Sequence, residues 1–526
     1  MIPRRVEPFS PTLTDSRLRR SVIHDMLRRQ SARHPRRALV VERSSDGRRT
    51  EVSYSEFDQM VNLVATRWIG RGVGTGSVVA AVSARGVEYL VAYFAALRCG
   101  ATFTGFDPAA TTSELAYFVG HARPTLIVLG EPVPSSVHAA VSDAGYDLLV
   151  ELMSEMASPA AWHTPEPLVD VGEDDIAMLV YTSGTESQPK GVMVTHRAFT
   201  VATTFSWVLE GYLRPWDRFL VLAPLHTMAG LGTVTNIVTT GATIVFSGST
   251  AVDDVLTTIR EEAVTNMSQT PTFYRRLAEA PEFDPARLSS LQQCHTYGGL
   301  AQASVFEHFS DALPDMSWAT YWGQTELSQL GSIGFFRTLA DVPNRDARWI
   351  GRAVPHLEIR VVDADDRDAA VGELLVRSPA VMAGYLDDPA GTDAVTSGGW
   401  LRTADIVEID EHSNLFFHDR RKDMVKTGGM NVSTLEVEQA LMRHPEVAEV
   451  AVVGLPDAEW SEAVTAFVVL AAAGRSGAEE LREHCRHLLS SYKVPKTIRL
   501  VAELPRDSQG KVRKRDLRTV PASDRR

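Results

Sequence analysis

Short apolar runs alternate with helix-patterned segments through the first two thirds of this chain, and that alternation restricts the fold more than any other feature. Residues 78–82, 126–129 and 176–180 have the length and apolar character of buried strands. Residues 54–69, 87–97 and 113–119 carry apolar side chains at helical spacing. Strand-like 219–223 and 243–247 and helical 251–262 and 272–277 continue the series. Strands separated by helices in this way predict a parallel α/β architecture. After Arg348 the texture changes: 357–362, 372–377, 406–410 and 415–417 read as short strands with turns between them, a smaller β-rich subdomain. The charged segment 419–423 reads as a linker. Beyond it lies a compact α+β unit of helices 435–443 and 479–490 and strands 447–453 and 463–470.

A chain of 526 residues is too long for one compact core, so two or more domains are expected. Residues 1–20, with Arg4, Arg5, Arg17, Arg19 and Arg20 but no apolar core after them, read as a loose tail and not as a secretory signal. The most apolar region, 78–106, is broken by Arg85, Glu88 and Arg98, which argues against a membrane span. A net charge of -13 argues against nucleic acid as a general partner while leaving room for local anion pockets. Cys99, Cys294 and Cys485 show neither metal-ligand nor disulfide spacing, which suits a reducing cytoplasm.

The strand-like run ending at Tyr181 feeds Thr182-Ser183-Gly184-Thr185-Glu186-Ser187-Gln188-Pro189-Lys190-Gly191. A turn built from glycine and small hydroxylated residues offers backbone N–H groups, hydroxyls and one ammonium, the parts that hold a polyphosphate. The spacing is not that of the usual P-loop.

Thr-Ser-Gly-Thr followed by Pro-Lys-Gly resembles the phosphate-loop signature of the adenylate-forming superfamily, which includes acyl-CoA ligases, peptide-synthetase adenylation domains and firefly-type luciferases. Further matches follow in the superfamily's order: Trp322-Gly323-Gln324-Thr325-Glu326, Gly399-Trp400-Leu401-Arg402-Thr403-Ala404-Asp405, Asp419-Arg420-Arg421-Lys422-Asp423, Lys426-Thr427-Gly428-Gly429 and Gly510-Lys511. The resemblance implies a large N-terminal domain over 21–421, made of two α/β subdomains and the β-rich subdomain. It also implies a small mobile C-terminal domain over 422–526 that turns about a hinge near Lys422.

The chemistry implied is a two-step ligation: a carboxylate attacks the α-phosphate of ATP, and a thiol, that of coenzyme A, then displaces AMP. On this resemblance Thr182, Ser183, Gly184, Thr185 and Lys190 hold the β- and γ-phosphates. Trp322 packs on adenine, with Gly298 and Gly299 in the turn beside it. Thr325 bonds the α-phosphate, and Glu326 holds Mg²⁺, a hard ion suited to carboxylate oxygens. Asp405 receives the ribose hydroxyls, with Arg420 nearby. Lys511 stabilises the charge developing during adenylation. Lys426, Gly428 and Gly429 enter the site when the small domain turns, and His226 and Tyr297 border the acyl pocket.

Departures from the superfamily pattern carry information too. Glu186 and Ser187 stand where many relatives have Thr-Gly. Two unit charges about 4 Å apart at an effective dielectric of about 20 repel by about 4 kcal/mol. Acyl-adenylate leaves that subsite empty, so the penalty falls on adenylation alone. The motifs therefore also fit an enzyme that mainly thioesterifies a supplied acyl-adenylate. Ala404 and Ser461 replace glycines, and Met430 replaces a frequent Glu. No acidic residue lies between Pro224 and Gly232 to pair with a substrate ammonium, which favours a fatty, aryl or alicyclic acid over an amino acid. The chain ends soon after Lys511, which favours free coenzyme A over a fused carrier. A loader of a separate carrier protein, or a pseudoenzyme that binds acyl-adenylate or AMP, would carry the same motifs.

Overall fold

The computed structural model describes residues 20–519 apart from 45, 84, 134, 143–144, 146, 157–163, 183–188, 205–212, 298–302, 429, 458, 472–473 and 507–511. Among these residues four sheets carry the fold. A seven-stranded sheet runs in the order Gly384–Tyr385, Lys190–Thr195, Ile176–Thr182, Thr102–Phe106, Val78–Val82, Leu126–Leu129, Leu149–Leu152. A nine-stranded sheet places Ser317–Trp322 beside Gln293–Thr296, then Asn266–Gln269, Arg218–Leu220, Thr243–Phe246 and Ala38–Arg43. The central pairings of both sheets are parallel, as the strand–helix alternation predicts.

Helices pack against both sheets because their apolar faces have nowhere else to go. Every residue of Val87–Arg98 except Glu88 is buried, and the helix shares one core with Leu39, Val40 and Ile244 of the larger sheet and Val79, Phe103 and Val180 of the smaller. Burying one such Leu, Val or Phe stabilises by roughly 1.5–3 kcal/mol. Tyr54–Gly70 starts at a capping box: Ser53 Oγ accepts from the Glu56 N–H at 3.3 Å, and the Glu56 carboxylate accepts from the Ser53 N–H at 2.9 Å.

Residues 1–19 of the expected tail lie outside the described residues, while Arg20 is held against the body of the protein. Arg20 donates to the Val169 carbonyl at 2.9 Å and pairs with buried Asp25 at 3.3 Å. His24, Asp25 and Glu166 form the one His/Cys/Asp/Glu group close enough to hold a metal among the described residues. Arg20, Arg28 and Arg98 flank these side chains, so the cluster is a charge network tying the N-terminal segment to the core.

The β-rich subdomain is an antiparallel sheet of Glu358–Val362, Val371–Arg377, Trp400–Ile409 and Thr396–Ser397, with Leu415–Arg420 paired to Trp400–Ile409. The segment expected to be a charged linker belongs partly to this sheet. Asp419 and Arg420 are strand residues, and buried Asp419 accepts from the Thr434 N–H and hydroxyl at 2.6 and 2.8 Å. Lys422 follows in a turn. The last sheet carries Val425–Thr427, Met430–Val432, Val447–Asp457, Ser461–Leu470 and Thr497–Leu500 around its own core of Val452, Val464 and Ile498. No helix among the described residues is long and apolar enough to cross a membrane.

Candidate active site

Asp405 is the centre of the site. It has no exposed surface and lies on Trp400–Ile409, directly opposite Arg420 of the neighbouring strand. Arg420 Nε pairs with Asp405 Oδ1 at 3.0 Å. Trp322 Nε1 and Gln324 Nε2 both donate to Oδ2 at 2.7 Å, and Gln324 also donates to the Thr403 carbonyl at 2.8 Å. Oδ1 accepts no hydrogen bond among the described residues although it is buried. A buried carboxylate whose Oδ2 takes two hydrogen bonds while its Oδ1 takes only the Arg420 ion pair keeps a spare lone pair for a hydroxyl donor. Ala404, just before it, adopts a left-handed φ of +57°, the conformation that favours glycine.

Trp322 is placed differently from the expectation. It is only 8% exposed and belongs to the main core. Its six-membered ring covers Gly331, where an added Cβ would come within 2.2 Å of Trp322 Cζ3. The indole's visible polar role is to anchor Asp405 through its N–H. The stacked rings nearby are Tyr297 and Tyr321, with centroids 5.5 Å apart and planes at 23°. Burial pushes the Tyr297 hydroxyl up to about 12.

Thr325 and Glu326 follow in the short 3₁₀ turn Thr325–Leu327. Glu326 is held twice by one segment: its carboxylate accepts from the Tyr385 hydroxyl at 3.1 Å, and its backbone carbonyl accepts from the Met382 N–H at 2.9 Å. Lys190 and Thr182 face each other across the hairpin of Ile176–Thr182 and Lys190–Thr195. Lys190 Nζ lies 3.3 Å from Asp388 Oδ2 and 4.4 Å over the Tyr385 ring. The Gly391 N–H, and then Lys190, hold the Asp388 carboxyl below the usual carboxylate range. Ser183, Gly184, Thr185, Gly298, Gly299, Gly429 and Lys511, all expected in the site, lie outside the described residues.

His226 sits just before the helix Met228–Thr240, with Nε2 3.8 Å from Asp107 Oδ2. Gly105 makes room for it, since a Cβ there would come within 2.7 Å of His226 Cα. Beyond this point a cavity of about 10 Å³ is lined by Leu222, Ala223, Ala229, Thr233, Ser268 and Tyr297, among others. That is room for roughly one water. On the C-terminal side, Lys426 and Gly428 sit on the exposed hairpin of Val425–Thr427 and Met430–Val432, with Gly428 at φ +55° against the Trp460 ring. No hydrogen bond or ion pair among the described residues ties them to the Asp405 cluster.

Thr182, Lys190, Thr325, Glu326, Asp405 and Arg420 thus converge around Trp322 and Tyr385. Sequence reasoning misses Gln324, Tyr385 and Asp388 as site residues. Gln324 lies within a recognised motif, but its partner Asp405 is distant in sequence. Tyr385 and Asp388 carry no local signal.

The AMP-binding enzyme family matches residues 27–386, and its C-terminal domain matches residues 436–511. The chain belongs to this family. An indoleacetate–CoA ligase from Aromatoleum aromaticum is 30% identical over 90% of the chain and 94% of its own length. The long-chain-fatty-acid–CoA ligase FadD13 of Mycobacterium tuberculosis is 29% identical over 94% and 99%. ATP-bound MatB from Rhodopseudomonas palustris superposes with a TM-score of 0.83 at 26% identity, covering 94% of this chain and 98% of that one. These likenesses place the chain in the acyl-CoA ligase branch of the family.

Proposed function

We propose that this enzyme converts a carboxylic acid without an α-amino group, fatty, aryl or alicyclic, into its coenzyme A thioester through an acyl-adenylate. The observation that carries the reading is the Asp405 cluster: a buried acid whose Oδ2 is anchored by Trp322 and Gln324 and whose Oδ1, paired with Arg420, keeps a spare lone pair, beside Thr325 and Glu326. That is a ribose site next to a phosphate site. In the first half-reaction a substrate carboxylate oxygen attacks the α-phosphorus, the bond to the β-phosphate breaks, and pyrophosphate leaves. Asp405 and Arg420 hold the ribose, Thr325 bonds the α-phosphate, and Lys190 and Lys511 offset charge on the phosphates and at the reacting centre. In the second half-reaction the thiolate of coenzyme A attacks the acyl carbon and AMP leaves.

Glu326 would hold a magnesium ion, a hard cation that favours carboxylate and phosphate oxygens. Bound there, magnesium would neutralise phosphate charge. Residues 21–421 act as the large lobe and 422–526 as a lobe that turns near Lys422, bringing Lys426, Gly428 and Gly429 inward for thiol attack. The separate sheet and core beginning at Val425 support that division. Three free, buried cysteines fit a reducing cytoplasm.

The test is a panel of acids with ATP, Mg²⁺ and coenzyme A, read by mass spectrometry for adenylate and thioester. Absence of adenylate with every acid removes the reading. Adenylate without thioester moves the acceptor to a carrier protein.

A further inference from the structure

We propose that the segment 382–388 positions both charged groups that handle the triphosphate, with Tyr385 and Asp388 as its positioning residues. The inference rests on the function proposed above. It begins with the backbone. Met382 N–H donates to the Glu326 carbonyl at 2.9 Å, Ala383 N–H to the Met193 carbonyl at 2.9 Å, and Leu386 N–H to the Gly191 carbonyl at 2.8 Å. Gly384 and Tyr385 pair with Met193 and Val192 as the edge strand of the seven-stranded sheet. The segment is therefore stitched at one end to the turn that bears Glu326 and at the other to the strand that begins at Lys190.

The side chains repeat this bridge. The Tyr385 hydroxyl donates to Glu326 Oε1, while the face of the same ring lies under the Lys190 ammonium. Asp388 Oδ2 lies 3.3 Å from the same ammonium. One aromatic ring thus sets the distance between the carboxylate suited to the metal and the cation suited to the phosphates. Glu326 keeps its second oxygen clear of Tyr385. Asp388 is the resting counter-ion of Lys190, and an arriving phosphate takes its place. Asp388 is also the N-cap of Pro389–Val395, accepting from the Gly391 N–H at 2.8 Å. Asn caps a helix as well as Asp does, so Asp388→Asn removes the charge and keeps the cap.

These roles belong to the first half-reaction alone, because acyl-adenylate carries neither β- nor γ-phosphate. The experiment uses the full-length enzyme, Tyr385→Phe and Asp388→Asn. ATP binding is titrated calorimetrically with Mg²⁺ and with EDTA. Pyrophosphate release and the conversion of supplied acyl-adenylate to thioester are measured separately. Tyr385→Phe keeps the ring under Lys190 and loses the bond to Glu326. Its affinity for ATP falls by about three- to tenfold with Mg²⁺ and is unchanged in EDTA, the size of one hydrogen bond. Asp388→Asn lowers the KM for ATP by roughly two- to fivefold, the range of an exposed ion pair, while kcat for pyrophosphate release also falls. Both variants convert supplied acyl-adenylate as the native enzyme does. Equal losses in both half-reactions, or ATP binding that is unmoved in both variants, would overturn the inference. Failure of the native enzyme to form any adenylate would instead strike the proposed function.

Discussion

Asp405→Asn is the sharpest test of the site, because the structure fixes what each side-chain oxygen does. The amide keeps one oxygen, which stays with the two donors Trp322 Nε1 and Gln324 Nε2. Its NH₂ then takes the place of Oδ1 and faces Arg420, donor against donor. Two charge-assisted hydrogen bonds of about 1.5–3 kcal/mol become neutral ones of about 0.5–1.5 kcal/mol, a loss of about 1 kcal/mol each. Arg420 is 37% exposed and returns partly to water, so its ion pair adds at most about 1 kcal/mol. The variant should unfold with a stability about 2–3 kcal/mol lower in urea, at an unchanged slope. AMP binding should weaken by at least about tenfold, since the spare acceptor has become a donor. Calorimetric titration with AMP and urea unfolding followed by fluorescence read both quantities. AMP affinity within a factor of about two of native, in a variant that is destabilised as expected, would show that the buried acid is structural and that the ribose lies elsewhere.

Three further outcomes follow from the same structure. Ala404 and Ser461 sit at φ +57° and +68°, so Ala404→Gly and Ser461→Gly should each raise stability by up to about 1 kcal/mol in urea unfolding, the strain relieved less the entropy glycine adds to the unfolded chain. Burial, and then Arg20, push His196 down from 6.5 to about 3, so the unfolded chain holds a proton there that the folded one lacks. The His196 contribution to stability should therefore be full above pH 6.5 and fall by about 1.4 kcal/mol per unit as pH drops toward 3, and His196→Gln should flatten the acid limb by about one proton. Glu186→Thr with Ser187→Gly should speed pyrophosphate release by removing a charge from the phosphate loop, and should leave thioester formation from supplied acyl-adenylate unchanged; equal rates in native and variant would show that Glu186 turns away from the triphosphate.

What can be read from the chain, and what cannot, divides along one physical line. Strands 78–82 and 126–129 match the structure to the residue, because an apolar run bounded by turn signals has one good solution. The helix expected at 54–69 gains only Gly70, and that expected at 113–119 becomes Thr112–Ala122, which starts at the Thr111 capping box and stops where Arg123 turns left-handed. The strand expected at 406–410 begins instead at Trp400, since its first half is occupied by Arg402, Thr403 and Asp405, polar residues that the site needs and that hide the strand pattern. Asp419 reads as solvated charge and is buried, because its partner Thr434 is supplied by another sheet's first helix. The same division runs through the site. Motif residues such as Asp405 and Glu326 can be named because each motif is compact in sequence. The resemblance assigns Trp322 a role through its aromatic face, whereas its edge, aimed at Asp405, is what the fold uses.

The missing glycines show how far sequence can reach when it is right for an unstated reason. Ala404 and Ser461 stand out in the sequence only as departures from a pattern, and both prove to occupy left-handed backbone. A glycine preference at those positions is therefore a statement about φ and needs no direct contact with ligand. Ala404 holds that conformation one residue before the acid that would grip the ribose, in a strand whose neighbours Thr403 and Asp405 are both buried and hydrogen-bonded. Strain of that kind persists only where the surroundings outweigh it. Here they are the Trp322 and Gln324 bonds on one oxygen and Arg420 on the other, so the carboxylate's orientation is maintained by its partners against the preference of its own backbone.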